Sequence, residues 1–394
     1  MANKLYEESN IQEIANSIRA KNGSSTKYKL SEIAGAIDSL TLSELIQIKD
    51  LPEGVKNAAL ETAKKAAAVQ TSDSITFIAA SDAHKLATDS RTETAITYAC
   101  MGIKALSYVV PNVAFRCFLG DYLSEGTTKD DGIVQIKSIN ALLSEGFEEM
   151  VQFRTAGEDD MVAISKSNYY SLISKYAAYS EDSIAGSYDN GWNYNDFTDL
   201  KLRVFCLNTS DGYYDYANVS TSQQLWFARE LKKVGAKDGW GVIILSHYPL
   251  DFTGDTSSDT NASAVGTILR QYTLGGSVTL QGVRVDFSEY NKAKIYGTFH
   301  GHTHNYAYAK LRDAQDSLAE FNVLRIAVPN MSWLQNNEAV TDANGISYTE
   351  GTTYDKGVTD ADFTAVTVNV VNPTEGKIYS FCFGTGYDRV ISIP

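Results

Sequence analysis

From residue 74 onward, short apolar runs alternate with helix-like segments, and no other feature of the sequence constrains the fold as much. ITFIAA (75–80), VAFRCFLG (113–120), RVFCLNT (203–209), GVIILS (241–246) and KIYGTF (294–299) have the length and apolarity of buried strands. Segments near 92–106 and 133–144, and TSQQLWFARELKKV at 221–234, read as helices. This alternation predicts an α/β fold with helices layered on a sheet. After residue 320 the chain turns strand-rich, with NVLRIAV, TAVTVNVV, KIYSFCF and DRVISI. These C-terminal strands are expected to complete a second sheet.

The first 70 residues carry a different pattern. Ile11, Ile14, Ala15 and Ile18 follow helical spacing behind Ser9, a residue type suited to an N-cap. After a polar turn, Leu30, Ile33, Ala34 and Ile37 repeat the spacing, which predicts a helical hairpin. A third segment, Val55 to Gln70, places Val55, Ala59, Ala63 and Ala66 on one face. So narrow a stripe suits packing on a partner, on copies of itself, or on the chain's own globular domain. The expected division is a helical segment over 1–70 and a larger domain over 71–394, with the boundary at QTSDS.

Charge and cysteine content narrow the function. Lys and Arg number 34 against 48 Asp and Glu, a net charge of −14. That disfavours a general nucleic-acid binder, which needs cations to displace counterions from phosphates. It leaves room for a phosphate-containing substrate when bound metal supplies the local positive charge. The 4 cysteines form no CxxC pair and read as buried small hydrophobes. MANKLYEESN lacks the apolar core of a secretory signal. No apolar run approaches the ~18 residues of a membrane span. The expectation is a chain made in the cytoplasm without a signal peptide and with no membrane span.

Only 5 histidines occur, and most of them follow a strand end. Ser81-Asp82-Ala83-His84 follows the first strand, Gly120-Asp121 ends the second, Ser246-His247 the fourth, and Gly301-His302-Thr303-His304 follows the fifth. Loops at the carboxyl ends of strands form the crevice of an α/β layer. Asp82, His84, Asp121, His247, His302 and His304 can therefore converge. Imidazole with carboxylate suits zinc, manganese or iron. This set exceeds one tetrahedral site and fits two ions sharing a carboxylate, with Asp121 as the natural bridge. Two such ions about 3.5–4 Å apart clamp the attacking and leaving oxygens of phosphoryl transfer.

These residues resemble the calcineurin-like metallophosphoesterase family, which carries DxH, GDxx, GNH, a lone H and GHxH in this order. The matches are Asp82-Ala83-His84, Gly120-Asp121, His247 and Gly301-His302-Thr303-His304, within roughly 74–310. The resemblance implies a four-layer α/β/β/α sandwich. It also implies hydrolysis of a phosphomono- or phosphodiester by a hydroxide activated by two divalent ions, with Mn, Fe or Zn expected. One ion would take Asp82, His84, Asp121 and His304. The other would take Asp121, His247, His302 and a residue of the GNH motif. His300 has no role in that scheme. The departure is at GNH, since the chain has no Asn-His pair. VQFRTAGEDDM offers Gly157-Glu158-Asp159-Asp160 in its place. So aligned, Glu158 replaces the neutral Asn ligand, and Asp159 takes the place of the imidazole that assists the leaving group. An Asp, with an ordinary pKa of ~3.9, is a poorer proton donor at neutral pH. Asp160 is the next candidate for that acid.

NIQEIANSIRAKNGSSTKYKLSEIAGAI is similar to the helical hairpin that opens many tail and baseplate proteins of phages and prophages of Gram-positive hosts. KIYSFCFGTGYDRVISIP resembles the closing strands of phosphoesterase domains in such proteins. This second resemblance implies a virion location, other tail or baseplate proteins as partners, a homo-oligomer, and a teichoic-acid-like polymer as substrate. Two alternatives stand beside it. One is a catalytically impaired structural or receptor-binding tail component that retains its metal site. The other is a cytoplasmic nucleotide phosphodiesterase in which residues 1–40 play no part.

Overall fold

The structure is a computed structural model of the 394-residue chain. It describes residues 48–85, 90–124, 126–144, 150–173, 191–211, 217–250, 262–304, 308–312, 320–329, 331, 339–341, 347–349, 365–384 and 388–394. The expected hairpin over residues 9–37 lies outside these.

The first half of the described chain runs α1 (Glu53–Val69), β1 (Ile75–Ala80), α2 (Ser90–Val109), β2 (Val113–Leu119), α3 (Lys129–Ser144), β3 (Gln152–Thr155), α4 (Glu158–Ala163), α5 (Lys166–Ile173), β4 (Asn193–Phe197) and β5 (Leu202–Cys206). It continues with α6 (Thr221–Gly235), β6 (Gly241–Ser246), α7 (Ala262–Leu274), the hairpin β7 (Ser277–Leu280) and β8 (Val283–Asp286), and β9 (Lys294–His300). The last elements are β10 (Tyr308–Arg312), β11 (Glu320–Ala327), the hairpin β12 (Ala339–Thr341) and β13 (Ser347–Thr349), then β14 (Ala365–Asn372), β15 (Lys377–Gly384) and β16 (Arg389–Ser392). Among the described residues no helix is long and apolar enough to cross a membrane.

The strands form two six-stranded mixed sheets. The first has the order β16-β15-β14-β1-β2-β3, and the second β10-β11-β9-β6-β5-β4. In the first, β1, β2 and β3 are parallel and β14 to β16 extend the β1 edge antiparallel. In the second, β5, β6, β9 and β11 are parallel, with β4 and β10 antiparallel at the two edges. The C-terminal strands therefore divide between the sheets, which corrects the expectation that they complete the second. Only β11 joins it. β14 instead pairs along the free side of β1, with Thr76 opposite Val370, because β11 and β10 already cover the outer edge of β9.

Side-chain alternation explains why the parallel strands read as unbroken apolar runs: both of their faces are buried. In β1, Ile75, Phe77 and Ala79 enter one apolar cluster while Ile78 and Ala80 enter another. In β6, Ile243 and Leu245 join the same cluster as Phe77, and Val242 and Ile244 join a third. The shared cluster lies where the sheets face each other. There Phe77 stacks on Phe115 at 4.7 Å and meets Phe299 of the other sheet edge-on at 5.0 Å. Residues of α1, α2, α3 and α5 cover the outer face of the first sheet, and residues of α6 and α7 cover that of the second.

The stripe on α1 also has its place. Val55, Ala59, Thr62, Ala63 and Ala66 are buried in the cluster formed with α2 and the first sheet. Of the destinations open to it, this helix packs on its own chain. Gln70, just past its end, bonds Thr76 Oγ1 and the Pro111 carbonyl at 2.7 Å each and leads directly into β1. The cysteines are free, and Cys100, Cys117 and Cys206 are buried.

Phe77 is fully buried between the sheets. Phe77→Ala is expected to destabilise by about 3–5 kcal/mol. Val134, 66% exposed, should change stability by less than about 0.5 kcal/mol on replacement by Ala. Urea unfolding followed by far-UV circular dichroism checks both.

Candidate metal centre

The parallel strands of both sheets end on one edge, and the loops leaving them are unusually contorted. Asp82, His84, Asp121, His302 and His304 all have positive φ, between 43° and 62°. Asp and His tolerate this region better than most residues, yet each such residue still costs about 1–3 kcal/mol. The contortion is held by hydrogen bonds that carry the β1–β2 ladder beyond the strands. Asp82 N–H donates to the Gly120 carbonyl at 3.0 Å, His84 N–H to the Asp121 carbonyl at 3.0 Å and Lys85 N–H to the Tyr122 carbonyl at 2.9 Å.

Seven residues expected from the sequence come together here, in two groups. Asp82, His84, Asp121 and His304 form one, and Glu158, His247 and His302 the other. In the first, His84 Nε2 lies 2.8 Å from His304 Nε2, 3.8 Å from Asp82 Oδ1 and 3.7 Å from Asp121 Oδ2. In the second, Glu158 reaches both imidazoles, with Oε1 2.6 Å from His302 Nδ1 and Oε2 2.6 Å from His247 Nε2. Asp121 stands between the groups. Its Oδ2 is 3.4 Å from His247 Nε2 as well as 3.7 Å from His84 Nε2. Each group draws side chains from both sheets.

Two glycines are required by close approach. A Cβ on Gly157 would lie 1.8 Å from Asp121 Oδ1, and one on Gly301 would lie 1.9 Å from Ser81 Oγ and 2.6 Å from Asp82 Oδ2. The bare backbone lets the start of α4 and the loop after β9 press directly on the acids.

Asp159 lies beside the first group. Its Oδ2 lies 3.1 Å from His84 Nδ1, and its backbone N–H donates to Asp121 Oδ1 at 3.1 Å. Asp160 is fully buried and accepts from Gly157 N–H at 3.0 Å and Leu123 N–H at 3.1 Å, tying the loop after β3 to the loop after β2. His300 belongs to neither group; its Nδ1 lies 2.9 Å from the Gly301 carbonyl.

Several supporting residues have no place in the motif pattern. Thr209 Oγ1 accepts the backbone N–H groups of His247 and Tyr248 at 3.2 and 2.9 Å. Thr155 Oγ1 donates to the Leu207 carbonyl at 3.0 Å and Ser210 Oγ to the Ala156 carbonyl at 3.1 Å, joining the two sheets beside the site. For Thr209 and Ser210 the signal in the sequence is the small polar run Asn208-Thr209-Ser210 at the end of an apolar strand. The expected strand runs to 209, whereas β5 stops at Cys206 to form this loop.

Burial and close packing displace the titrations in opposite directions. Burial tends to raise Asp82, but His304, His247 and His84 bring it down to about 2. Burial, reinforced by the Glu158 charge, holds Asp121 well above the ordinary range. Glu158 is likewise pushed up by burial, yet His247 and His302 hold it well below that range. His247 is lowered by burial but raised further by Asp121 and Glu158, ending well above its ordinary value. Burial lifts Asp160 to about 7 and drops His300 to about 3.

The donor set suits a divalent metal. Asp82 Oδ2, Glu158 Oε2 and His247 Nε2 are buried without a hydrogen bond, the 2.6 Å approach of the latter two notwithstanding. His247 Nδ1 lies 2.6 Å from the Leu119 carbonyl, which leaves Nε2 facing the acids. A cation would satisfy these orphaned atoms, and its ligands would be the deprotonated forms. The cluster can bind metal ions.

Comparison with protein-family models finds no match, and no curated protein matches the sequence. Among solved structures the chain is similar to the crystal structure of TT1561 of Thermus thermophilus, with 8% identity and a TM-score of 0.35. That match covers 65% of this chain and 90% of the other. A likeness this distant carries no argument about activity.

Gly157→Ala would drive a methyl group into Asp121. It is expected to weaken Mn²⁺ binding by about 10–100-fold, the range seen when support behind metal ligands is lost. Isothermal titration calorimetry reads the change, and unaltered affinity would show that Asp121 takes no part in binding.

Proposed function

We propose that the chain is a metal-dependent phosphoesterase of the calcineurin-like kind, built as a four-layer α/β/β/α sandwich. The observation that carries this proposal is Asp121 Oδ2, within 3.7 Å of an imidazole nitrogen in each donor group. One ion would be held by Asp82, His84, Asp121 and His304, and a second by Asp121, Glu158, His247 and His302. Imidazole with carboxylate matches Mn, Fe or Zn. When bound, the ions supply positive charge for the phosphoryl oxygens and lower the pKa of a bound water.

The chain's own residues set the geometry of that chemistry. The Leu119 carbonyl, 2.6 Å from Nδ1, orients His247 so that Nε2 faces the site. The N–H of His302 donates to Asp82 Oδ1 at 3.0 Å, so the loop after β9 positions an acid carried by the loop after β1. Asp159 Oδ2 lies 3.1 Å from His84 Nδ1, and a carboxylate engaged there would be a weak proton donor to a leaving group.

That engagement favours a second reading, a metal-binding tail component without turnover. On the resemblance of the N-terminal hairpin, the proposed setting is a phage or prophage tail, with a homo-oligomer acting on a teichoic-acid-like surface polymer.

Elemental analysis of protein purified without chelator is expected to give about two divalent ions per chain. Asp121→Asn should lower manganese-supported hydrolysis of an aryl phosphodiester by several orders of magnitude while the far-UV spectrum is unchanged. Metal content without any turnover would favour the second reading.

A stabilised phenolate leaves without a proton, whereas an alkoxide needs one, and general acid catalysis is worth about 10²–10⁴-fold. Aryl esters should therefore be cleaved faster than alkyl esters by more than about 10²-fold. Equal rates on the two would place a proton donor elsewhere in the site.

A further inference from the structure

We infer that Asp159 is a positioning residue for the metal centre, orienting His84 through its side chain and Asp121 through its backbone. This rests on the proposed metal site and assigns a role to the one motif position where the chain carries an acid in place of an imidazole. The side chain of His84 is 9% exposed and that of Asp159 is 19% exposed, so their contact is largely shielded from water. A carboxylate without its proton can only accept, so across the 3.1 Å contact it would favour the tautomer of His84 with hydrogen on Nδ1. That tautomer has its lone pair on Nε2, the nitrogen lying among His304, Asp82 and Asp121. A carboxylate behind an imidazole ligand fixes both its tautomer and its ring plane.

The backbone of the same residue works in the same direction. Its N–H holds Asp121 Oδ1 at 3.1 Å, so that Oδ2 is the oxygen directed between the two donor groups. Asp160 secures the segment by accepting from the N–H groups of Gly157 and Leu123. Residue 159 is thereby held beside the loops after β1 and β2. An imidazole at this position has no anionic oxygen to offer His84, whereas a carboxylate has two.

The test uses the full chain and three proteins: the parent, Asp159→Ala and Asp159→Asn. The Ala variant keeps the backbone N–H and removes only the carboxylate. The Asn variant keeps an uncharged acceptor and guards against misfolding of the first. Mn²⁺ affinity is measured by titration calorimetry, and the electronic absorption of bound Co²⁺ reports ligand geometry independently of turnover. The expected result is a loss of about 10–100-fold in affinity at one of two sites for Asp159→Ala, an altered Co²⁺ spectrum, and a smaller loss for Asp159→Asn. Parent-like affinity and spectra in both variants would overturn the inference and leave the metal site standing. A parent that binds no Mn²⁺ or Co²⁺ would overturn both. A drop in alkyl-ester turnover with metal binding unchanged would show Asp159 to be the leaving-group acid and would also overturn it.

Discussion

The convergence of the loops at the rim of the two sheets depends on a buried carboxylate. Asp121 leaves the end of β2, the strand flanked by β1 and β3, and is 1% exposed. Burying a carboxyl group without partners is costly whether or not it is ionised. Here one oxygen receives a backbone N–H from the start of α4 and the other lies close to imidazoles from both sheets. The absence of a side chain at Gly157 makes the first contact sterically feasible. Remove these, and neither the loop after β3 nor that after β9 has a reason to press so closely on the strand ends.

Strain and charge are concentrated in the same few loops, and the packing beneath makes that tolerable. Five residues of the site hold left-handed backbone conformations within a few ångströms of several acids. The compensation is the aromatic contact of Phe77, Phe115 and Phe299 between the sheets, together with a β1–β2 ladder that outlasts its strands. A rigid core beneath a strained rim is the arrangement expected where geometry must be preorganised.

What the sequence makes legible follows from how much of each feature is local. β1 and β6 are plain in it because burial on both faces demands apolar residues throughout. The candidate site is visible because Asp and His directly after such runs are chemically out of place unless they are used. β3, at four residues, is too short for its alternation to register, and α4 is a single short helix whose start is fixed by contacts to other loops. The antiparallel partnership of β1 with β14 joins residues nearly three hundred positions apart, and no local pattern encodes it. The role of Asp159 is equally non-local. Its type suggests a weak acid, and only the proximity of His84 turns it into an orienting group.

The distribution of donors between the sheets has a mechanical consequence. Asp82, His84, Asp121 and Glu158 follow strands of the first sheet, while His247, His302 and His304 follow strands of the second. No donor group is complete within one sheet. An ion in either group would act as a cross-link at the open rim of two layers otherwise joined by apolar packing and a few hydrogen bonds. The relative slide of the sheets and the grip on the ion would then be one coordinate, so a core substitution far from the rim that lets the layers shift would register as lost metal affinity.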